Sequence, residues 1–161
     1  LDAANHAGIP LDVIGPIDCA EYFEAEVAPR LDAKRVYHGH KQGAELVRMV
    51  GESSVLLATP DWDEPFGLIA AEAMACGVPI AALDRGALRE VVGDCGVLAT
   101  DTLSLAAAIE TASGMPRSSC RRRVQQLFSI ETMIEGYERA YMAAMAGARA
   151  SSNASTVAVL A

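Results

Sequence analysis

The stretch DWDEPFGLIAAEAMACGVPIAAL, Asp61 to Leu83, sets four carboxylates (Asp61, Asp63, Glu64 and Glu72) against a run of small and apolar residues. Glu64 and Glu72 stand with seven residues between them. Pro65 suits the first turn of a helix, and Gly67 lets a ligand approach the backbone. The N–H groups of Phe66, Gly67 and Leu68 are therefore candidate donors to hydroxyls or phosphate oxygens. Glu72 falls about one turn into that helix, where a carboxylate can accept two hydrogen bonds from a vicinal diol such as the 2′ and 3′ hydroxyls of a ribose. Glu64, in the loop before it, is placed to hold hydroxyls of a second sugar ring. The spacing fits a nucleotide-sugar laid across one helix end. Periodicity alone also allows, and by itself favours, Glu72 as an exposed helix residue stabilised by the N-terminal dipole.

The elements around this stretch are those of an α/β protein. GIPLDVIGP (Gly8 to Pro16) is a short apolar run between turn residues and reads as a buried strand, Leu11 to Ile14. Ala20 to Leu31 reads as a short helix broken near Pro29, and Arg35 to Tyr37 as a second strand ending at Gly39. Leu46, Val47, Met49 and Val50 recur at a helical period before a third strand, Val55 to Ala58. Helix Leu68 to Cys76 follows, stopped by Gly77, and VPIAAL and GVLAT supply the fourth and fifth strands. Strands alternating with helices over short connections predict a Rossmann-like parallel sheet with helices on both faces. In such a sheet ligands bind outside the carboxyl ends of the strands, and the loop carrying Glu64 leaves one of them. Beyond Thr102 the chain turns helical, over Leu103 to Ser113, Arg117 to Phe128 and Glu131 to Met145. The last helix carries an apolar stripe of Met133, Ile134, Tyr137, Tyr141, Ala144 and Met145. Residues 1–147 are expected to form one domain, with 148–161, rich in Ala and Ser, a disordered tail.

Composition narrows the functions. The 161 residues are 52% hydrophobic with 5% aromatics, and they lack any apolar run near the roughly 20 residues of a membrane span. No basic segment followed by an apolar one marks the N-terminus for secretion, so a soluble, cytoplasmic protein is the default expectation. A formal charge of −8 argues against a nucleic-acid partner. Cys19, Cys76, Cys95 and Cys120 show no Cys-x-x-Cys spacing and read as reduced, buried thiols. The basic run Arg121 to Arg123 reads as a solvated helix face.

The order Glu-Pro-Phe-Gly-Leu, three residues, then Glu-Ala-Met-Ala-x-Gly-x-Pro, over Glu64 to Ile80, resembles the donor-site signature of retaining glycosyltransferases of the GT-B fold, a large family that includes bacterial mannosyltransferases and sucrose synthases. The resemblance extends over nearly the whole chain. IPLDVIGP looks like the strand leaving the first helix of the family's nucleotide-binding domain, and VYHGH like its base-facing loop. FSIETMIEGYERAYMAAM looks like the closing helices that cross back toward the acceptor domain. The resemblance implies a partial C-terminal donor domain that takes a nucleoside diphosphate sugar and transfers the sugar with retention. Glu64 is the implied catalytic residue and holds the sugar together with Phe66, Gly67 and Leu68. Glu72 is implied at the nucleotide, as are His38, Gly39, His40 and Lys41. No metal or other cofactor is implied.

Three departures qualify that likeness. The family often has two glycines where Arg85 and Gly86 stand and a proline where Arg89 stands, so no ligand role is expected there. In the family this domain opens with a strand and a loop bearing an arginine and a lysine that neutralise the diphosphate, and this chain begins after both. It also lacks the N-terminal acceptor domain, through which peripheral membrane contact could arise. The missing strand is central in the usual order, so a gap is expected between Leu11 to Ile14 and Val55 to Ala58. The chain reads as a fragment that alone transfers no sugar.

Other signals compete with this reading. Asp61-Trp62-Asp63 has the Asp-x-Asp form that chelates a divalent metal in the other large glycosyltransferase fold, but it adjoins a signature that already explains the place. His38 and His40 alternate across a strand end with no third ligand evident, so loop histidines near a nucleotide base are favoured over metal ligands. Lys41 could reach the base or a phosphate, or be a surface lysine. The alternatives to a transferase are a non-catalytic nucleotide-sugar-binding module and another GT-B enzyme, a phosphorylase or an epimerase. The first stays open because the acceptor domain and the phosphate-neutralising cations are not in this sequence; of the second, a phosphorylase would carry a cofactor-lysine signature that is not found, and epimerases lack the Glu-Pro-Phe-Gly form.

Overall fold

The computed structural model describes residues 1–153, with the side chains described up to 147. The elements run α1 (Asp2–Ala7), β1 (Leu11–Val13), α2 (Ala20–Tyr22), β2 (Arg35–Tyr37), α3 (Gly43–Glu52), β3 (Leu56–Ala58), α4 (Leu68–Ala75), β4 (Ile80–Leu83), α5 (Leu88–Val92), β5 (Gly96–Ala99), α6 (Thr102–Ser113), α7 (Arg117–Leu127) and α8 (Ile130–Asn153). All strand pairs are parallel. The chain separates into two compact units, Leu1–Val124 and Gln125–Ala161.

In the first unit β4 is flanked by β3 and β5, with Ala81 opposite Leu57 and Val97. Its residues Ile80, Ala81 and Ala82 are fully buried, as a central parallel strand covered on both faces requires. Odd and even positions go to different layers. Ala81 and Ala99 pack with Leu105, Ala108, Ile109 and Ala112, the i, i+3, i+4, i+7 stripe of α6, and α1 adds Ala3 to the same cluster. On the opposite face α4 buries Ala70, Ala71, Ala73 and Met74, and α5 buries Leu88, Val91 and Val92. Asp101 begins α6 with a capping box. Its carboxylate accepts the Ser104 N–H at 2.8 Å while Ser104 Oγ accepts the Asp101 N–H at 3.1 Å. That backbone hydrogen bond holds the Asp101 carboxyl below its ordinary range.

β1 and β2 form a separate two-stranded sheet, with Leu11 opposite Arg35 and Val13 opposite Tyr37. Neither strand is hydrogen-bonded to β3, which leaves the expected gap between the first strand and the third. Tyr37 ties the small sheet to its surroundings by packing its ring at a tilt of 56° against Phe23, centroids 4.9 Å apart, and by donating its hydroxyl to Gly15 O at 2.7 Å.

Several details differ from the sequence expectations. Helices α1 and α5 were not expected; six and five residues are too short to show a convincing period. The segment from Ala20 remains helical through Pro29, but it widens to a π-helix at Phe23–Val27 and tightens to a 3-10 turn at Ala28–Arg30. Pro29 lacks an N–H and would press on the carbonyl four residues back, so a regular α-helix cannot continue there. In the second unit α8 runs to Asn153, past the point where a disordered tail was expected; residues 154–161 of that tail lie outside the described residues. The stripe on α8 is solvent-facing. Met133, Tyr137, Tyr141 and Met145 are each more than half exposed, and Tyr137 stacks on Tyr141 at 6.3 Å.

Cysteine exposure is uneven. Cys95 and Cys120 are buried, Cys76 is half-buried, and Cys19 is exposed at the start of α2, contrary to the reading of four buried thiols. Burial, with Cys120 beside it, pushes the Cys95 thiol up to about 12, and burial raises that of Cys120 as well. A thiol reagent at neutral pH is therefore expected to modify Cys19 first, then Cys76, and to reach Cys95 and Cys120 only after denaturant is added. Mass mapping of the labelled cysteines checks the order.

Candidate functional site

The site is built where β3 ends and α4 begins. Residues 59–67 cross the carboxyl end of the large sheet, and Gly67 turns the chain into α4 at φ 89°, ψ 54°, a left-handed conformation that favours glycine. A Cβ on Gly67 would lie 2.7 Å from Leu88 Cδ2, so the glycine also lets α5 close against this turn. Glu64 is half-buried, and its Oε1 accepts the Gly67 N–H at 3.0 Å. The Ala87 N–H donates to the Glu64 carbonyl at 2.7 Å, joining the loop after β4 to the loop after β3. Gly86 lies directly on the Glu64 backbone; a Cβ there would overlap the Glu64 nitrogen and carbonyl oxygen.

A cleft of about 270 Å³ opens here, lined by Leu57, Ala58, Thr59, Pro60, Trp62, Glu64, Gly67, Ile69 and Leu88. Two of the expected site residues, Glu64 and Gly67, line it. The expected donor set shifts by one residue, because Gly67 gives its N–H to Glu64. The first-turn N–H groups of Leu68 and Ile69 have no acceptor among the described residues. Leu68, Ile69 and Glu72 share the solvent-facing side of α4, with Leu68 67% and Ile69 56% exposed. Glu72 is exposed; its carbonyl accepts the Cys76 N–H at 3.2 Å, its carboxylate has no hydrogen-bond or ion-pair partner among the described residues, and side chains on a helix tilt toward its N-terminus. Glu64 Oε2 has no hydrogen-bond partner among the described residues. Phe66 is 38% exposed at the same turn.

The second group of expected residues follows β2. His38 Nε2 lies 2.6 Å from Asp12 Oδ1, and His40 Nε2 lies 2.6 Å from Gln42 Nε2. Gly39 accepts the Gly15 N–H at 3.1 Å, tying the ends of β1 and β2 together. Lys41 donates to Glu45 at 2.8 Å, and this hydrogen bond and charge hold the Glu45 carboxyl below its ordinary range. Such an exposed pair is weak and yields readily to a stronger anion. These residues gather at the carboxyl end of the small sheet and do not line the cleft beside Glu64. At the end of β4, Arg89 pairs with Asp84 and Arg85 is exposed. Among the described residues no three His, Cys, Asp or Glu side chains stand together as a metal site.

Trp62, Ile69 and Leu88 are wall residues not anticipated from sequence. An apolar side chain next to a signature looks the same whether it faces the core or a cleft.

Parallel strands, a ligand-accessible helix N-terminus at their carboxyl end and two acidic residues at that helix define an α/β protein of the GT-B glycosyltransferase type. The chain belongs to the family described as glycosyl transferases group 1, which matches residues 1–113. It is 32% identical over 121 residues to a glycogen synthase of Mycobacterium tuberculosis, covering 69% of this chain and 29% of that protein. It is also 44% identical over 59 residues to a D-inositol 3-phosphate glycosyltransferase of Rhodococcus erythropolis, covering 35% of this chain and 13% of that protein. Among solved structures it resembles AviGT4, a glycosyltransferase involved in avilamycin A biosynthesis, with TM-score 0.78, 26% identity and coverage of 91% of this chain and 46% of that one. Sucrose-phosphate synthase from Thermosynechococcus elongatus matches with TM-score 0.73, 28% identity and coverage of 90% and 41%. The chain thus spans less than a third of the curated relatives and less than half of these structures.

The packing at Gly86 makes a direct forecast. Gly86→Ala is expected to cost about 1–3 kcal/mol, because the methyl meets backbone that cannot turn aside. Gly114→Ala, where the nearest atom is 3.7 Å away, should leave the melting temperature nearly unchanged. Thermal melts of the two variants check this.

Proposed function

We propose that this chain is the donor-binding part of a retaining glycosyltransferase, taking a nucleoside diphosphate sugar at the N-terminus of α4. The carrying observation is the position of the Glu64 to Glu72 signature: the Glu64 carboxylate, held through Oε1 by the Gly67 N–H, precedes α4, the Glu72 carboxylate is exposed one turn in, and the N–H groups of Leu68 and Ile69 between them have no acceptor among the described residues. Leu68 and Ile69 donate to diphosphate oxygens, aided by the helix dipole. Glu72 accepts from the ribose diol. Glu64, its Oε1 held by Gly67, presents Oε2 to hydroxyls of the transferred sugar and stands nearest the reacting carbon. The leaving diphosphate gathers negative charge as the glycosidic bond breaks, and donors already aimed at it stabilise that change without reorganising.

The relatives support a donor role for the shared region. Their names speak of glycogen, of inositol 3-phosphate and of sucrose phosphate, three different compounds, so a region common to them serves what such transfers have in common. The unpaired edges of β1 and β3 face a gap that one further parallel strand would fill, joining the two sheets into one. His38, Gly39, His40 and Lys41, at the end of β2, then lie on the nucleotide side, and the acceptor comes from a second domain. No described helix is long and apolar enough to cross a membrane.

In the whole enzyme, Glu72→Ala is expected to weaken nucleoside diphosphate binding about ten- to a hundredfold, the value of a hydrogen bond to a charged group. Glu64→Gln should leave that affinity nearly intact while transfer falls. Calorimetry paired with a transfer assay separates the two, and a parallel loss in both variants would contradict the division of roles.

Charge stabilisation by backbone donors calls for no metal. Transfer is expected to survive excess chelator, and Asp61→Asn combined with Asp63→Asn should cost little. Activity lost to chelator and restored by manganese would reinstate the Asp-x-Asp reading.

A further inference from the structure

The three consecutive arginines of α7 do not form a uniform solvated face. Arg117 donates to Ser53 O at 2.8 Å and Gly51 O at 2.6 Å, the end of α3, and to Cys76 O at 3.4 Å. Arg121 donates to Ala75 O and Cys76 O, both at 3.3 Å, the end of α4. Arg123 donates to Val91 O at 2.9 Å and Glu90 O at 2.6 Å, the last turn of α5. Among the described residues Arg122 makes no such bond, whereas its neighbours Arg121 and Arg123 do. One helix thus supplies guanidinium caps to the carboxyl ends of three others, where orphan carbonyls and the negative end of the dipole favour a cation.

The backbone leaves room for these contacts. A Cβ on Gly93 would lie 2.6 Å from Arg123 Nη1, and one on Gly77 would lie 3.3 Å from Arg117 O and 3.5 Å from Arg121 Nη2. Each capped helix is a crossover. Its last turn feeds the next strand, and its first turn lies at the carboxyl end of the sheet, beside the loop of His38 to Gln42, the Glu64 to Gly67 turn or the Arg85 to Ala87 loop. A short helix is stiff, so fixing one end restricts the other.

We propose that Arg117, Arg121 and Arg123 are positioning residues. By gripping α3, α4 and α5 at the amino end of the sheet, they set the register of the loops at the opposite end, with Arg121 acting through α4 on the Glu64 to Gly67 turn. The consequence for sugar transfer rests on the donor-site reading above. The clamp itself is read from Glu64's own hydrogen bonds, so a failed clamp and a failed donor site are separately visible.

Amide exchange on this chain, compared between Arg121→Ala and Arg122→Ala well below the melting temperature, tests the proposal. Arg121→Ala is expected to speed exchange at Gly67 and Ala87, whose N–H groups bond to Glu64, by about tenfold, with the central strand β4 unchanged. Arg122→Ala should match the parent protein. Arg121→Lys keeps the charge but loses the two-pronged geometry, and should fall between. Faster exchange confined to Cys76, Gly77 and Val78 would reduce Arg121 to a local cap and overturn the proposal. A uniform rise that includes β4, or no change at all, would overturn it equally. Should Arg121→Ala fail to fold, Arg121→Lys decides: Gly67 and Ala87 exchange matching the parent protein rejects the clamp.

Discussion

Helix α4 is held at both ends by hydrogen bonds, some local and some reaching it from Ala87 and the α7 arginines, and the candidate site depends on that double restraint. At the start, the Glu64 carboxylate closes on the Gly67 N–H while the Ala87 N–H closes on the Glu64 carbonyl. At the end, Gly77 N–H bonds to Met74 O and Val78 N–H to Ala73 O, each at 2.9 Å, and arginines take the remaining carbonyls. Eight residues of mostly Ala, Leu and Ile have little side-chain means to fix themselves in rotation. Their caps supply it, and with it the direction in which Glu72 and the free N–H groups of Leu68 and Ile69 point.

The same restraint explains the unusual composition of the signature. Ala70, Ala71 and Ala73 are small because α4 lies close to the sheet and to α5, and Gly67 and Gly86 are glycines because a side chain at either would meet a neighbour. Apolar residues between two carboxylates are therefore no paradox. The buried face of α4 packs, while its exposed face, with Leu68, Ile69 and Glu72, is turned to solvent.

Much of this was legible in the sequence because it rests on local signals. β2 came out at its expected residues, and β1, β3 and α4 within a residue of their expected ends, since Gly, Pro and apolar runs punctuate them. The family resemblance placed Glu64 and Glu72 on one helix start. What was not legible is long-range. The arginine caps join residues 32 to 66 positions apart, and no local pattern distinguishes Arg121 from Arg122. The engagement of Gly67 by Glu64 likewise requires a left-handed turn whose geometry shows only in three dimensions. The gap between β1 and β3 was inferred from strand order rather than from any residue, because a strand edge has no signature of its own.

The central claim is that the N-terminus of α4 is an anion and diol site. Nitrogen–proton NMR spectra of this chain during titration with uridine, guanosine and adenosine diphosphates in turn test it most directly, because shifts report weak as well as tight binding. At least one of the three is expected to move the amides of Leu68 and Ile69 most, with Glu72 following. Saturating shifts located elsewhere, or none at α4 with any of the three, would contradict the account.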